Sequence, residues 1–183
     1  MSTVDWYGNV SLVLFFAGCN LRCPYCQNSP LIPLNSGHEV GLEYLKDSLE
    51  ICMHPVPQLD SAVFTGGEPT LQPDAVIAAA KLIREYELEI MLDTNGTIYD
   101  AVKQVLDTGL FKRVALDVKA PLNERDYGFV SGRPEFGDKF AANVKRTLML
   151  CKKLGLETEA RTTVALGVSD DPDFIREDRK SVV

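Results

Sequence analysis

The sequence lacks a long hydrophobic run, which argues against a membrane-spanning helix. Its longest apolar stretch, residues 10–18, contains a serine and has the length of a strand, whereas a membrane helix needs about 20 consecutive apolar residues. The N-terminus also shows no charged segment followed by an apolar one and a small-residue cleavage site. We therefore expect neither a membrane partner nor a secretory signal.

Positive charge and histidine are scarce as well. Lysine and arginine number 19 against 26 acidic residues, for a formal charge of −7, and because no basic cluster stands out we expect no nucleic-acid partner. The two histidines, His38 and His54, have no nucleophile motif around them, which disfavours Ser-His-Asp and Cys-His catalysis. The G-x-S-x-G, P-loop and G-x-G-x-x-G patterns are absent.

Five cysteines are present, and an odd number argues against a complete disulfide framework. A reducing cytoplasm is therefore the expected location. Cys52 and Cys151 fall on the apolar faces of amphipathic segments, where a cysteine behaves as a small hydrophobic side chain. We expect these two to pack in the core.

Short β-rich runs alternate with longer amphipathic segments along the 183 residues, a length that suits one domain over residues 1–183. The predicted strands are residues 10–17, 61–65, 88–92, 113–118 and 157–166. The predicted helices are residues 42–53, 73–86, 98–106 and 140–154. Two long segments rich in Pro, Gly, Asn and Ser, residues 30–40 and 120–137, are expected to be mobile or substrate-facing loops.

This alternation is typical of βαβ crossovers and a parallel sheet. The fold class is therefore α/β. Right-handed crossovers are compatible with an open doubly wound sheet and with an arc of a (β/α) barrel, and the pattern alone does not choose between them.

Cys19, Cys23 and Cys26 form a C-x3-C-x2-C loop directly after the first predicted strand. Three thiolates within eight residues can hold one soft metal centre, and three ligands on an iron–sulfur cubane leave its fourth iron open to another molecule. The alternatives are a structural zinc site or coincidence. Zinc would need a fourth ligand, which the contexts of His38 and His54 do not suggest.

At these residues the chain resembles the radical S-adenosylmethionine superfamily, whose loop has this spacing and an aromatic residue, here Tyr25, before the last cysteine. A second family motif matches Gly66-Gly67-Glu68-Pro69 at the end of the second predicted strand. Further segments resemble the glycyl-radical-enzyme activating branch, and above all its anaerobic ribonucleoside-triphosphate reductase activating type; these are residues 4–8, 18–28, 65–70, 93–96, 116–119 and 161–164.

The resemblance implies a partial (β/α) barrel that carries a [4Fe–4S] cluster on Cys19, Cys23 and Cys26 and uses S-adenosylmethionine as co-substrate. A flavodoxin- or ferredoxin-type donor would reduce the cluster, and cleavage of the sulfonium would give methionine and a 5′-deoxyadenosyl radical. That radical would remove a hydrogen atom from a glycine of a partner enzyme. The preferred partner is an anaerobic ribonucleotide reductase.

The remaining site residues follow from the same resemblance, and all lie near the carboxyl ends of predicted strands, where ligands bind in parallel α/β folds. The backbone of the second motif and Glu68 are expected to bind the methionyl ammonium. The other implied contacts are Asp93, Thr94 and Asp117 around a monovalent cation, Lys119 and Arg161 on the carboxylate or ribose, and Tyr25 and Asn28 at the adenine. Ordinary turn caps and strand-end ion pairs are the structural alternative.

Two departures from the family limit the functional prediction. Gln27 stands where many activating enzymes have histidine, and the chain ends soon after its fifth predicted strand, so the last helix and strand of the family are expected to be missing. Three other functions stay open: a radical enzyme that modifies another protein or a metabolite, a non-catalytic iron–sulfur electron-transfer module, and a zinc-stabilised interaction domain.

Overall fold

Five parallel strands form one sheet in the computed structural model, which describes residues 1–176. They follow one another in sequence order, β1-β2-β3-β4-β5. Their bounds are β1 Ser11–Phe16, β2 Ser61–Gly66, β3 Glu89–Thr94, β4 Arg113–Asp117 and β5 Glu157–Arg161. The α/β prediction is confirmed, and the sequential order is that of a barrel arc, because a doubly wound sheet reverses its strand order.

Five α-helices connect the strands. They are α1 Leu42–Met53, α2 Pro73–Arg84, α3 Tyr99–Leu106, α4 Glu124–Val130 and α5 Gly137–Leu154, with 3₁₀ turns at Ser29–Leu31, Pro69–Leu71 and Pro134–Phe136. Pro73 occupies the first turn of α2 with Asp74 beside it, and α5 ends at Gly155 in the left-handed conformation, as predicted from these residue types.

The prediction of a long loop over residues 120–137 was wrong. This segment contains α4, which begins after Asn123, whose side chain accepts a hydrogen bond from the backbone N–H of Asp126. Tyr127 and Val130 are buried on it. β5 is also shorter than predicted, because it ends at Arg161 and not at residue 166.

One face of the sheet packs under the helices, and we call it the helix face. It presents fully buried side chains from the three central strands to residues of all the helices. These strand side chains are Ala62, Phe64, Ile90, Leu92, Val114 and Leu116. Burial of this face against α1–α5 forms the main core of the domain.

The other face carries a smaller cluster in which Trp6, from the N-terminal segment, packs on Val63, Met91 and Ala115, with Val13 at its margin. We call it the Trp6 face. Side chains alternate between the two faces along each strand, so Asp93 and Asp117 also belong to it.

Among residues 1–176, no helix is long and apolar enough to cross a bilayer. Residues 177–183 of the predicted domain lie outside the part that the structure describes.

Candidate active site

The carboxyl ends of the five strands meet around one cavity of about 220 Å³. Every predicted site residue except Pro69 lines it, and Pro69 is buried in the adjoining 3₁₀ turn. The parallel register brings them together, since β1 to β5 all end at the same edge of the sheet. Leu21 and Ile32 also line the cavity; these apolar residues carried no chemical signal in the sequence.

The cysteine loop follows β1, and hydrogen bonds join its start to the segment that comes after the loop. The backbone N–H groups of Gly18 and Cys19 donate to the carbonyls of Leu31 and Ile32 at 2.7 and 3.0 Å. Leu21 is 2 % exposed and inserts into the main core. The three thiol side chains are half-buried and share the cavity.

Burial sets the acidity of two of these thiols. It raises the pKa of Cys19, and it raises the pKa of Cys23 to about 11, although the nearby ammonium of Lys119 acts in the opposite direction. Both thiols are therefore protonated at neutral pH in the metal-free chain, and binding a metal centre would release those protons.

The turn after β2 touches the start of the cysteine loop so closely that only glycine fits. Gly66 has φ +118°, and a Cβ there would lie 2.5 Å from the backbone N and O of Phe16. A Cβ on Gly67 would lie 2.1 Å from the carbonyl oxygen of Gly18. The two glycines are thus required for β1 and β2 to end side by side.

Glu68 connects the ends of β2 and β3. It is 1 % exposed, and its carboxylate accepts hydrogen bonds from the Thr94 hydroxyl at 2.7 Å and from the backbone N–H of Asn95 at 2.7 Å. The backbone N–H and the hydroxyl of Thr70 donate to the same carboxylate. Burial raises the pKa of Glu68, and these donors oppose that effect. Its contact with a methionyl ammonium stays a prediction.

A second polar network joins the cysteine loop to the end of β3, and no sequence motif predicted it. The Asn95 side-chain amide donates to Asn20 Oδ1 at 3.0 Å, and Asn20 in turn donates to Thr97 Oγ1 at 2.8 Å. Asn95 and Thr97 are buried. Two asparagines within motif segments were the available signal, but nothing in the sequence paired them.

Two ion pairs lie at the ends of β4 and β5. Lys119 Nζ is 2.8 Å from Asp117 Oδ2, and its side chain is 15 % exposed. Burial opposes its charge, but Asp117 outweighs this effect and the pKa of Lys119 is raised. Arg161 lies 3.4 Å from Asp93, yet burial raises the pKa of Asp93 to about 7. Asp93 is therefore a partly buried carboxyl with less positive charge around it than full ionisation requires.

Tyr25 lines the cavity, and the Asn28 amide donates to the carbonyl of Gly66 at 3.3 Å. Within residues 1–176, no three His, Cys, Asp or Glu side chains converge closely enough to hold a single metal ion. A cubane poses a different geometric requirement, because each thiolate binds its own iron.

Comparison with known proteins gives one family match over most of the chain. The model of the radical SAM superfamily matches residues 13–177. A Methanocaldococcus jannaschii protein whose name places it among glycyl-radical enzyme activating enzymes is 34% identical over 95% of this chain and 69% of its own length. The pyruvate formate-lyase-activating enzyme of Clostridium pasteurianum is 30% identical over 96% of this chain and 70% of its own length.

The fold of the chain is also similar to that of a protein of known structure. A solved structure, native anSMEcpe with bound AdoMet and Cp18Cys peptide, superposes with a TM-score of 0.68 at 23% identity. It covers 93% of this chain, whereas this chain spans 47% of the solved one, about half its length.

Proposed function

The chain belongs to the radical S-adenosylmethionine superfamily of enzymes, and we propose that it installs a glycyl radical on a partner enzyme. We take this partner to be an anaerobic ribonucleotide reductase. Membership of the superfamily implies a [4Fe–4S] cluster and S-adenosylmethionine. The observation that carries the proposal is the convergence of the cysteine loop and the four other strand ends on one cavity.

The residues present fit the cluster. Cys19, Cys23 and Cys26 would hold it, since their three half-buried sulfurs are soft donors within one short loop beside the cavity. When bound and reduced, the cluster would supply one electron for the reductive cleavage of S-adenosylmethionine to methionine and a 5′-deoxyadenosyl radical. The chain's own task is to bind, orient and shield the reacting groups.

The cavity offers hydrogen-bond acceptors and cationic donors to the methionyl end of the ligand. Gly66 and Gly67 line the cavity, and their backbone carbonyls can accept hydrogen bonds from an ammonium. Lys119 and Arg161 also line the cavity and can donate to a carboxylate or a ribose hydroxyl. Glu68 joins the ends of β2 and β3, so we assign it a positioning role as well.

Asp93, Asp117 and Thr94 are proposed to bind a monovalent cation. The support is electrostatic: burial raises the pKa of Asp93 to about 7 even with Arg161 beside it. A cation near Asp93 would favour the ionised carboxylate and remove that imbalance. Tyr25 and Asn28 line the same cavity and are proposed to contact the adenine.

The test starts from anaerobic protein reconstituted with iron and sulfide. We expect a brown chromophore and, with dithionite, conversion of S-adenosylmethionine to 5′-deoxyadenosine. Cys23→Ala should abolish both, because it removes a cluster ligand, whereas Cys52→Ala, at a half-buried cysteine on α1, should keep both. A chromophore without cleavage would favour an electron-transfer module, and colourless protein with stoichiometric zinc would favour a zinc domain.

The partner is tested in a second step. Anaerobic ribonucleotide reductase is added to the reconstituted chain, and electron paramagnetic resonance is used to look for the glycyl radical. Cleavage without that signal would favour modification of another protein or of a metabolite. The flavodoxin- or ferredoxin-type donor and the cytoplasmic location stay predictions.

A further inference from the structure

The turn after α4 makes contacts with the cysteine loop that none of the motifs accounts for. Its residues Ser131, Gly132 and Arg133 all touch the segment between the first two cysteines. The backbone N–H of Arg22 donates to the carbonyl of Ser131 at 2.8 Å, and Arg133 Nε donates to the carbonyl of Asn20 at 3.3 Å.

Gly132 makes the closest approach. It has φ +65°, and a Cβ there would lie 2.2 Å from the carbonyl oxygen and 2.8 Å from the carbonyl carbon of Arg22. Arg22 immediately precedes Cys23, so a side chain at position 132 would have to displace either the turn or the backbone that carries this cysteine. Gly109 has nearly the same φ, +69°, but an added Cβ there would meet nothing within 4 Å.

Hydrogen bonds to α4, and the close packing of α5 on α4, fix the position of this turn. The backbone N–H of Ser131 donates to the carbonyl of Tyr127 at 3.0 Å, and that of Arg133 donates to the carbonyl of Gly128 at 3.0 Å. Ser131 and Tyr127 are fully buried. The start of α5 closes onto α4 so tightly that a Cβ on Gly137 would lie 2.0 Å from the carbonyl oxygen of Glu124.

The two ends of the cysteine loop therefore have separate supports. Cys19 follows Gly18, whose carbonyl is fixed by the turn after β2: it accepts a hydrogen bond from the backbone N–H of Glu68 at 2.7 Å. Cys23 follows Arg22, which is fixed by the turn after α4. The guanidinium of Arg22 also folds back onto the carbonyls of Cys19 and Leu21, both at 2.7 Å, so the segment between the two cysteines has little freedom.

We propose that Ser131, Gly132 and Arg133 form a positioning element that sets where Cys23 lies relative to Cys19. Ligand residues in metal centres depend on such supporting contacts for their orientation. This inference rests on the proposed cluster, but it assigns a role to a segment outside the cysteine, glycine and strand-end motifs.

The test compares Gly132→Ala with Gly109→Ala. Both place alanine in the left-handed region, and only the first one collides with the cysteine loop. After anaerobic reconstitution we expect Gly109→Ala to match the wild type in iron content and in the electron paramagnetic resonance spectrum of the reduced cluster. Gly132→Ala should retain iron about tenfold more weakly, as is typical for the loss of a supporting contact, and should shift the g values and the midpoint potential.

A second pair of variants covers the case in which Gly132→Ala fails to fold. Arg133→Met removes the hydrogen bond to Asn20 without inserting any atoms at the turn, and Arg125→Met changes an exposed arginine on α4. We expect a spectral shift in the same direction for Arg133→Met and none for Arg125→Met.

The outcomes separate the two proposals. Wild-type protein that builds no cluster would overturn the proposed function and this inference with it. A normal wild-type cluster that is unchanged in both Gly132→Ala and Arg133→Met would overturn the positioning role alone. A loss of thermal stability with unchanged spectra would do the same, since it would indicate a purely structural turn.

Discussion

The two faces of the sheet are built from alternating residues of the same strands, yet they differ in composition. The helix face presents fully buried apolar side chains, such as Phe64 and Leu92, to the helices. The Trp6 face combines a small apolar cluster with charged groups: Arg113 contacts Glu159 at 2.6 Å and lies over the ring of Trp6 at 6.0 Å.

The difference separates stability from chemistry. Burial of apolar surface on the helix face stabilises the fold. On the Trp6 face, Asp93 is partly buried beside Arg161, and burial raises its pKa despite this partner. Burying polar groups on the Trp6 face costs stability. We infer that apolar burial on the helix face compensates for this cost, as expected for a functional site.

The largest expected effect is on the helix face. Phe64 is fully buried and contacts the rings of Phe16 and Phe111 with centroid separations of 5.8 and 5.7 Å. Phe64→Ala should lower the free energy of unfolding by about 3–5 kcal/mol, because it leaves a cavity in the main core. Urea unfolding followed by circular dichroism measures this. Phe129→Ala, at a side chain 61% exposed on α4, is the control, and a comparable loss there would contradict the assignment.

The helix face was also the part most open to prediction from the sequence. The bounds of α1 are those that its apolar periodicity predicts, and the runs of β2 and β3 were recognised within one or two residues of their ends. The parallel sheet followed from the alternation of strands and helices. The strand order did not, because right-handed crossovers fit both an open doubly wound sheet and a barrel arc. The helix α4 was missed because Gly128, Gly132 and Pro134 look like loop residues, although Gly128 lies inside the helix and the other two shape the turn after it.

The candidate site was predictable in its membership but not in its contacts. Motifs at strand ends identified residues that line the cavity, because parallel strands bring their carboxyl ends together. The partners of Glu68, the pairing of Asn20 with Asn95 and the contact of Gly132 with Arg22 join residues distant in sequence. Such contacts depend on how loops pack, which periodicity does not encode.

An intermediate and pH-dependent effect is expected at Asp93. Its pKa in the folded chain is raised from 3.8 to about 7 by burial, so the stability associated with the neutral acid is fully present below about pH 4 and is lost as the pH rises through 7. Asn resembles the neutral acid at every pH. The stability of Asp93→Asn relative to the wild type should therefore increase by about 2–3 kcal/mol between pH 5 and pH 8.

Urea titrations of both proteins at the two pH values measure this difference. Asp138→Asn, at an exposed position in the first turn of α5, is the matched control and should show no such increase. A stability difference for Asp93→Asn that is the same at pH 5 and pH 8 would contradict the raised pKa, and with it the electrostatic support for the cation site.

The smallest effect is expected at Phe15 on β1. It is compared with Phe64, which lies on the neighbouring strand β2 but on the other face of the sheet. Phe15 pairs in register with Thr65, the residue after Phe64, and it is 58% exposed because alternation places it on the Trp6 face, beyond the cluster around Val13. Phe15→Ala should cost less than about 1 kcal/mol in the same urea assay, since little surface returns to water. A cost close to that of Phe64→Ala would mean that β1 turns its side chains the other way.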